Sequence, residues 1–311
     1  MPEDRHHELA RRDVRLLRAI LKRGSKSFYA ASWLLPPRVR GPVTALYAFC
    51  RLGDDSVDLD ASPATSLQHL ERRLDRVYAG RPDDHLVDRS FAAIVERFAI
   101  PREIPEALLE GFRWDVEGRR YETIFDLHGY GARVASTVGL MMTLLMGRRE
   151  REVLARACDL GVAMQLTNIA RDVGEDGRAG RLYLPTQWLE EAEIDPDRWL
   201  AHPEFSPALG QVISRVLDEA DELYSRADLG INMLPWDCRP AIRAARLIYA
   251  DIGRAIRRQN MDSVSQRAYT TGWRKLRLLL QAIFRVPTRS ALESDTTSPL
   301  TATAFLLQET R

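Results

Sequence analysis

Apolar residues recur along this chain with helical spacing almost throughout. They return at intervals of three and four residues, and no alternating stretch of useful strand length interrupts them. Short segments with proline or glycine separate the helical ones, as at Pro36-Pro37 and Pro287. The pattern predicts an all-α protein. The predicted helices span residues 8–22, 26–34, 38–58, 65–79, 88–98, 104–117, 123–146, 150–174, 186–192, 207–229, 238–258 and 271–286.

The breaks between the predicted helices are short. None is long enough for an interdomain linker, and the chain has no internal repeat of fixed period. Residues 1–287 are therefore predicted to form one domain, a helical bundle. Beyond Pro287 the chain is rich in Ser, Thr and Ala and poor in charge, which predicts a flexible tail over residues 288–311.

Charge and cysteine usage narrow the possible environments. The chain has 45 Lys plus Arg and 44 Asp plus Glu, a net charge of +1, so no overall field favours nucleic acid as a partner. Its three cysteines stand far apart, which indicates free thiols in a reducing compartment. No secretory signal and no spanning apolar run is present, so we expect a cytoplasmic protein or one that only touches a membrane.

One of the predicted helices combines an apolar circumference with a polar stripe. Residues 153–173 are apolar on most faces, which is typical of a buried helix. Yet Gln165, Asn168, Asp172 and Asp176 lie within about 80° of one another at 100° per residue. Because buried carboxylates are costly without compensation, this stripe requires a cation or another partner.

A second apolar helix, predicted over 38–58, carries a similar stripe. Tyr47, Arg51, Asp54 and Asp58 lie within about 60° of one another. This stripe also ends in two aspartates four residues apart. Two such helices facing each other would hold metal ions between them.

The spacing of two aspartates is not sufficient evidence for a metal site. A third pair with the same spacing, Asp84 and Asp88, lies in a turn rich in proline and charge, and we expect it on the solvated surface. An ion-paired surface is the alternative for the other two pairs as well. It is disfavoured there because both pairs lie in apolar helices.

The ligand types indicate the cation and the chemistry. Carboxylate and amide oxygens suit Mg²⁺ or Mn²⁺ rather than Zn²⁺, and the six histidines have no metal-binding spacing. Magnesium commonly binds through one or two carboxylates together with substrate phosphates. Cations and arginines stabilise a departing diphosphate, whereas the carbocation left behind needs a dry apolar wall. The pattern therefore predicts a site that ionises an allylic diphosphate.

Four strings of residues resemble the squalene and phytoene synthase family. Residues 47–58 (YAFCRLGDDSVD) resemble its first aspartate-rich motif and residues 165–185 its second. Residues 24–28 (GSKSF) resemble the family's N-terminal substrate flap, and residues 260–276 its C-terminal signature. The four strings occur along the chain in the same order as in the family. They are most similar to those of phytoene-forming members of the purple-bacterial carotenoid type.

The resemblance implies a fold and a reaction. The fold would be the all-helical, single-domain isoprenoid synthase bundle with a central apolar cavity. The reaction would be head-to-head condensation of two geranylgeranyl diphosphates through prephytoene diphosphate to phytoene, with release of two diphosphates, in carotenoid biosynthesis. Magnesium or manganese would be required, NADPH would not, and stimulation by ATP stays open. Peripheral contact with the inner membrane and with downstream carotenoid enzymes is a further expectation, because the product is an oil.

The resemblance also implies roles for individual residues. The implied metal ligands are Asp54, Asp58, Asn168, Asp172 and Asp176. The implied catalytic residues are the four aspartates together with Tyr47, Arg51 and Tyr183. The implied substrate-binding residues are Ser25, Lys26, Ser27, Phe28, Tyr130, Gln165, Asn168, Arg171, Arg181, Tyr249 and Arg267.

Three other functions are kept as alternatives. A squalene-type, presqualene diphosphate or dehydrosqualene synthase would use farnesyl diphosphate. A terpene cyclase or head-to-tail prenyltransferase is disfavoured by the string that follows Asp172, which has the head-to-head form. A non-enzymatic assembly or binding protein of the same fold is disfavoured because the motif aspartates are all present.

Two further segments have expected roles in the site. Gly174, Gly177 and Gly180 suggest a mobile lid after Asp176, with an ordinary helix end as the alternative. Residues 134–146 combine small residues with long flexible ones, which is suited to the wall of a tunnel for a polyprenyl chain.

Overall fold

A computed structural model describes residues 11–24, 26–58, 63–284 and 298–308. Within these ranges the chain forms helices and turns and no strand, which confirms the predicted all-α class. A π-helical turn, Ala132–Ser136, joins α7 to α8. The α-helices are α1 (Arg11–Gly24), α2 (Lys26–Ser32), α3 (Pro37–Asp58), α4 (Pro63–Tyr78), α5 (Leu86–Phe98), α6 (Glu103–Val116), α7 (Ile124–Gly131), α8 (Thr137–Leu145), α9 (Arg151–Arg178), α10 (Thr186–Glu191), α11 (Pro196–Ala201), α12 (Pro207–Met233), α13 (Arg239–Arg258) and α14 (Gly272–Phe284).

Helix α9 lies at the centre of the bundle. It packs against α8, α12, α13 and the π-helical turn. Leu154, Val162, Leu166 and Ile169 are each at most 3% exposed, as expected for a helix with an apolar circumference. Burying one such side chain contributes about 1.5–3 kcal/mol. The polar residues of α9 therefore project from a firmly packed element.

The predicted helix over 123–146 is wrong in its middle, where the π-helical turn interrupts it. The cause is the close approach of α9 at Gly161, where an added Cβ would lie 2.7 Å from the Ser136 backbone. The Ser136 hydroxyl also donates a hydrogen bond to the Cys158 carbonyl at 2.8 Å. Such turns insert one extra residue and are frequent at functional sites.

A short helix, α11, was not predicted. Pro196 stands at its first position, and the Asp195 carboxylate accepts hydrogen bonds from the backbone N–H groups of Asp197 and Arg198. These are ordinary start signals. They lie in a stretch too short to show helical periodicity.

The C-terminal stretch differs from the predicted flexible tail. Within residues 298–308, Thr303, Leu306 and Leu307 are each at most 2% exposed. The Ser298 carbonyl accepts a hydrogen bond from Arg226 at 2.9 Å. The prediction relied on composition and overlooked the apolar run at residues 304–307. Residues 285–297 and 309–311 lie outside the described part of the chain, and the domain boundary at residue 287 stays a prediction.

The aspartate pair expected on the surface is split between two environments. Asp84 is 98% exposed, whereas Asp88 is 1% exposed and accepts a hydrogen bond from Arg73 at 2.7 Å. The expectation is therefore wrong for Asp88, which forms a buried ion pair between α4 and α5.

None of the described helices has the length and apolar content needed to cross a bilayer.

Candidate active site

A cavity of about 1070 Å³ lies between the helices and follows α9 over most of its length. Its lining runs along α9 from Val153 to Asp176, a distance of about 35 Å at 1.5 Å per residue. At one end Val153 is 2% exposed; at the other the Glu175 side chain is 62% exposed. We call these ends the floor and the mouth. The cavity confirms the prediction of a central apolar chamber.

Part of the apolar wall comes from the π-helical turn and α8, which pack against α9. Val134, Ala135, Val138 and Gly139 line the cavity there. At Gly139 an added Cβ would lie 2.8 Å from a backbone carbonyl of α9, so a larger residue would push the two helices apart. The small residues predicted to form thin parts of the wall therefore set the spacing of its two sides.

Asp172 is the most tightly held carboxylate of the mouth. Arg171 donates to it at 2.8 Å, and Arg267, from the segment before α14, donates at 2.8 and 3.2 Å. Burial alone would raise the pKa of Asp172, but the hydrogen bonds and charges of these two arginines outweigh it and hold the pKa below its usual value. Asp172 is therefore ionised across the physiological range.

Asp176, one helical turn further along, is in the opposite situation. Burial and, after it, the charge of Asp172 raise its pKa to about 7, although the charge of Arg181 acts in the opposite direction. The mouth therefore contains one carboxylate that is fully compensated and one that is not. A second positive charge placed between them would be strongly favoured.

The segment that carries Arg267 is fixed against α9. The Gly174 N–H donates to the Ser263 carbonyl at 3.0 Å, and an added Cβ at Gly174 would lie 2.3 Å from the Val264 carbonyl oxygen. The Asp262 carboxylate accepts hydrogen bonds from the backbone of Val264 and Ser265. These contacts explain how a residue 95 positions away reaches Asp172.

The glycines after residue 173 lie within and just beyond the end of α9. Helix α9 continues through Arg178, and Gly174 and Gly177 lie at close packing contacts within it. Gly180 has φ +77°, where its conformation ends the helix in a turn. These positions agree with the alternative of an ordinary helix end, and motion of the segment as a lid stays a prediction.

A cluster of tyrosines around Asp115 forms part of the cavity wall. The hydroxyls of Tyr130 and Tyr183 donate to the two oxygens of Asp115, at 3.0 and 2.8 Å. The two rings stack with centroids 5.2 Å apart, and Tyr121 packs beside both. Burial and the Asp115 charge raise the pKa of Tyr130 and of Tyr183, so both hydroxyls keep their protons.

Helix α3 contributes Tyr47 and Arg51 to the cavity lining. Gly24, at the end of α1, allows this approach, because an added Cβ would lie 2.2 Å from the Tyr47 hydroxyl oxygen. Asp54 and Asp58 follow on the same helix. Their side chains lie outside the described part of the structure, so the predicted meeting of the two aspartate stripes stays a prediction.

The predicted substrate flap is described only in its backbone. Ser25 lies outside the described residues. Lys26, Ser27 and Phe28 begin α2, and their side chains also lie outside the described part. Their predicted contacts with substrate stay predictions.

The structure brings every other predicted site residue to the same cavity. Those with described side chains that line it are Tyr47, Arg51, Tyr130, Gln165, Asn168, Arg171, Asp172, Asp176, Arg181, Tyr183, Tyr249 and Arg267.

Sequence reasoning assigned no role to several polar residues of this lining. Asp115, Glu175 and Lys275 lie in the cavity wall together with the predicted set. Glu175 and Lys275 fall inside recognised motifs and could have been found there. The available signal for Asp115 was weaker, since it is one of four acidic residues on the amphipathic helix α6.

The donor set at the mouth fits a hard divalent cation. Asp172, Asp176, Asn168 and Gln165 offer carboxylate and amide oxygens on one face of α9, and Asn168 and Gln165 are within 3.4 Å of each other. Among the described side chains no three acidic, histidine or cysteine residues converge on one metal position. A complete site would therefore need oxygens from substrate, from water or from residues outside this set.

This arrangement defines a class of protein: an all-helical bundle around a deep apolar chamber with carboxylates and arginines at its mouth. The squalene/phytoene synthase family matches residues 21–274. The phytoene synthase of Rhodobacter capsulatus is 51% identical over 287 residues, covering 91% of this chain and 85% of that protein. The phytoene synthase of Cereibacter sphaeroides is 50% identical over 278 residues, covering 86% and 78%.

Solved structures agree with this assignment. A dehydrosqualene synthase in complex with ligand has a TM-score of 0.80 at 32% identity, covering 88% of this chain and 95% of that chain. A squalene synthase from Alicyclobacillus acidocaldarius has a TM-score of 0.74 at 25% identity, covering 80% and 95%. The chain belongs to the squalene/phytoene synthase family.

Proposed function

We propose that this protein is a prenyltransferase that joins two geranylgeranyl diphosphates head to head through prephytoene diphosphate to phytoene, releasing two diphosphates. The observation that carries this proposal is a single cavity that follows α9 for about 35 Å, with charged residues at its mouth and mainly apolar residues between Val153 and Met164. The identity of half or more to two phytoene synthases supports the choice of product.

The dimensions of the chamber suit the proposed substrate. A geranylgeranyl group, with about 16 main-chain carbons at roughly 1.2 Å per bond, reaches about 19 Å. The volume of about 1070 Å³ exceeds the roughly 300–1,000 Å³ of an ordinary ligand pocket. A shorter farnesyl group would also fit, so the choice between them rests on the relatives.

Arginines at the mouth are suited to hold the diphosphates. Arg51, Arg171, Arg181 and Arg267 line the same end of the cavity as the carboxylates. The planar guanidinium donates in a fork that matches phosphate oxygens. These residues would orient the leaving group and stabilise the charge that develops on it.

Magnesium or manganese is part of the proposal. Asp172, Asp176 and Asn168, with Asp54 and Asp58 from α3, would hold the ions. Bound there, the cations would neutralise the diphosphate charge as the allylic C–O bond breaks. The raised pKa of Asp176 supports this, because its main causes are burial and the negative charge of Asp172 one turn away.

The tyrosine cluster would face the reacting carbons. The rings of Tyr130 and Tyr183 offer aromatic faces to a carbocation. Asp115 fixes both hydroxyls and so orients both rings. The apolar wall beyond them would exclude water, which would otherwise trap the cation as an alcohol.

The reaction should need no reductant. We expect NADPH to be dispensable, leave stimulation by ATP to experiment, and expect delivery of the hydrocarbon product to a membrane and to downstream carotenoid enzymes. The test is incubation of the purified protein with geranylgeranyl or farnesyl diphosphate and Mg²⁺ or Mn²⁺, with mass analysis of the hydrocarbon. Phytoene formed without NADPH, stopped by EDTA and restored by either cation, is the expected result.

Two results would contradict the proposal. A product formed only with farnesyl diphosphate would identify a squalene- or dehydrosqualene-type enzyme instead. Turnover that is indifferent to chelation would exclude the metal assignment.

A further inference from the structure

Exposed apolar side chains are concentrated at one helix of the described chain. Ten large apolar residues in that part are clearly exposed, and six of them fall between residues 269 and 284. Single exposed apolar residues are ordinary, but a contiguous group marks an interaction surface. The six, with exposures of 46–84%, are Tyr269, Trp273, Leu276, Leu280, Ile283 and Phe284.

Helix α14 has two apolar faces on opposite sides. Leu278 and Ala282 are at most 6% exposed and pack in a cluster with α13 and with Ala31 of α2. The five exposed apolar residues of α14 fall within an arc of about 100°, centred roughly opposite Leu278 and Ala282. We call these five residues, Trp273, Leu276, Leu280, Ile283 and Phe284, the apolar stripe.

The stripe is held in place by contacts on the inner side of α14. Arg274 donates to the carboxylate of Asp251 at 2.9 Å, and Asp251 is fully buried. Near the other end, Arg243 of α13 donates to the Ala282 carbonyl at 3.3 Å. The helix is therefore anchored along its length with the stripe directed outward.

The stripe begins at the mouth of the chamber. Tyr269 and Lys275, on either side of Trp273, line the cavity. A surface on which the stripe rested would therefore lie next to the opening. The exposed apolar stripe of α14 therefore adjoins the entrance to the apolar cavity.

The chemistry around the stripe matches a lipid surface. Helix α14 contains Arg274, Lys275 and Arg277 and no acidic residue, and Arg277 lies about 20° beyond the edge of the stripe. Arg274 is turned inward to Asp251 and Lys275 lines the cavity, so Arg277 is the basic residue beside the stripe. An apolar face with a basic edge and no acidic residue is the pattern of a helix lying in a bilayer interface with anionic headgroups. Trp273, 84% exposed, is the residue type enriched at that interface.

We propose that the apolar stripe docks on the surface of an anionic lipid bilayer, with the mouth of the chamber against the lipid. Prenyl diphosphate and hydrocarbon product would then exchange with the bilayer without crossing bulk water. The identity of this cargo rests on the proposed function, whereas the docking surface rests on the exposure and charge of α14.

The test is flotation of the purified full chain with vesicles of phosphatidylcholine, alone or mixed with phosphatidylglycerol. We expect binding to be stronger with phosphatidylglycerol, and the double variant Leu280→Ser/Phe284→Ser to lose at least about tenfold in partitioning. The matched control is Phe125→Ser on α7, because Phe125 is 72% exposed and Phe284 is 75% exposed. Arg277→Gln should weaken binding about fivefold with phosphatidylglycerol and little without it.

Three results would overturn the proposal. One is binding of the double variant at the wild-type level, and another is an equal loss in Phe125→Ser. The third is dissociation of a dimer by the double variant, seen by sedimentation, with vesicle binding unchanged, since the stripe would then be a contact between two copies. Turnover measured in detergent distinguishes the docking proposal from the proposed reaction. A double variant that is active in detergent but does not float with vesicles supports docking. A wild-type protein that floats but makes no hydrocarbon refutes the proposed reaction and leaves the docking surface intact.

Discussion

Helix α9 carries an arginine–aspartate cluster near each end, and the two clusters differ in how their charge is compensated. At the floor, Asp159 is fully buried between Arg156, at 3.2 Å, and Arg226, at 3.0 Å. Arg226 also donates to the Ser298 carbonyl, which joins the cluster to the C-terminal stretch. This cluster binds together parts of the chain that are far apart in sequence.

At the mouth, two arginines also hold one aspartate, but additional acid remains. Asp172 is paired, whereas Asp176 has a pKa near 7 and the Glu175 side chain is exposed beside it. A charged residue in an apolar helix is therefore not by itself evidence of a site. Incomplete compensation next to a solvent-connected cavity distinguishes the mouth from the floor.

The largest effect on activity is expected from a substitution in the cluster at the mouth. Asp172→Asn should lower kcat/KM at least about a thousandfold, because it removes an anionic ligand and loosens Arg171 and Arg267. The helical fold should persist, with the melting temperature within a few degrees of wild type. Steady-state kinetics and thermal melting measure the two quantities. Near-normal turnover in this variant would refute the metal assignment at the mouth.

The corresponding change at the floor should affect stability instead. Asp159→Asn leaves the buried guanidinium of Arg156 and the partly buried one of Arg226 facing an amide. Breaking a buried ion pair in this way costs about 3–5 kcal/mol of unfolding free energy. Turnover per folded molecule should stay close to wild type at low temperature. Urea unfolding with activity normalised to the folded fraction tests this. A large loss of turnover without loss of stability would mean that the floor takes part in the chemistry.

Much of this organisation could be predicted from the sequence, because periodicity reports burial directly. The apolar circumference of α9 predicted its central position, and the 3.6-residue period placed Asn168, Asp172 and Asp176 on one face. What periodicity cannot report is the partner of a charge. Arg267 reaches Asp172 across 95 positions, and Asp88 pairs with Arg73, through tertiary packing alone.

The prediction of a flexible C-terminal tail from composition was wrong for residues 298–308, again because tertiary packing is not visible in the sequence. The four residues 304–307 are too few to form a pattern, yet they find an apolar surface on the folded bundle. Asp115 was missed because the acidic residues of an amphipathic helix normally face water, and α6 has four of them. Its two tyrosine partners come from α7 and from the segment after α9.

A smaller effect on activity is expected at Asp115. Asp115→Asn keeps the shape but weakens the hydrogen bonds that orient Tyr130 and Tyr183, so kcat should fall about 10–100-fold with KM little changed. Tyr183→Phe should show part of this loss. The matched control is Tyr224→Phe, because Tyr224 is buried and bonded to Thr167 outside the cavity. An equal kcat loss in the control would indicate a general packing effect.

The smallest expected effect is a dependence of stability on pH that only the mouth should show. The Asp176 carboxyl has an ordinary pKa of 3.8 and a pKa of about 7 in the folded protein, so the folded state retains a proton that the unfolded state has lost between these values. Its contribution therefore becomes less favourable as pH rises through this window. Asp176→Asn removes that penalty, so in EDTA its melting temperature should match wild type near pH 4 and exceed it by a few degrees at pH 8. Glu175→Gln removes the same charge at a position 62% exposed and should show a smaller difference. A gain for Asp176→Asn that is independent of pH would mean that uncompensated charge is not what distinguishes the mouth.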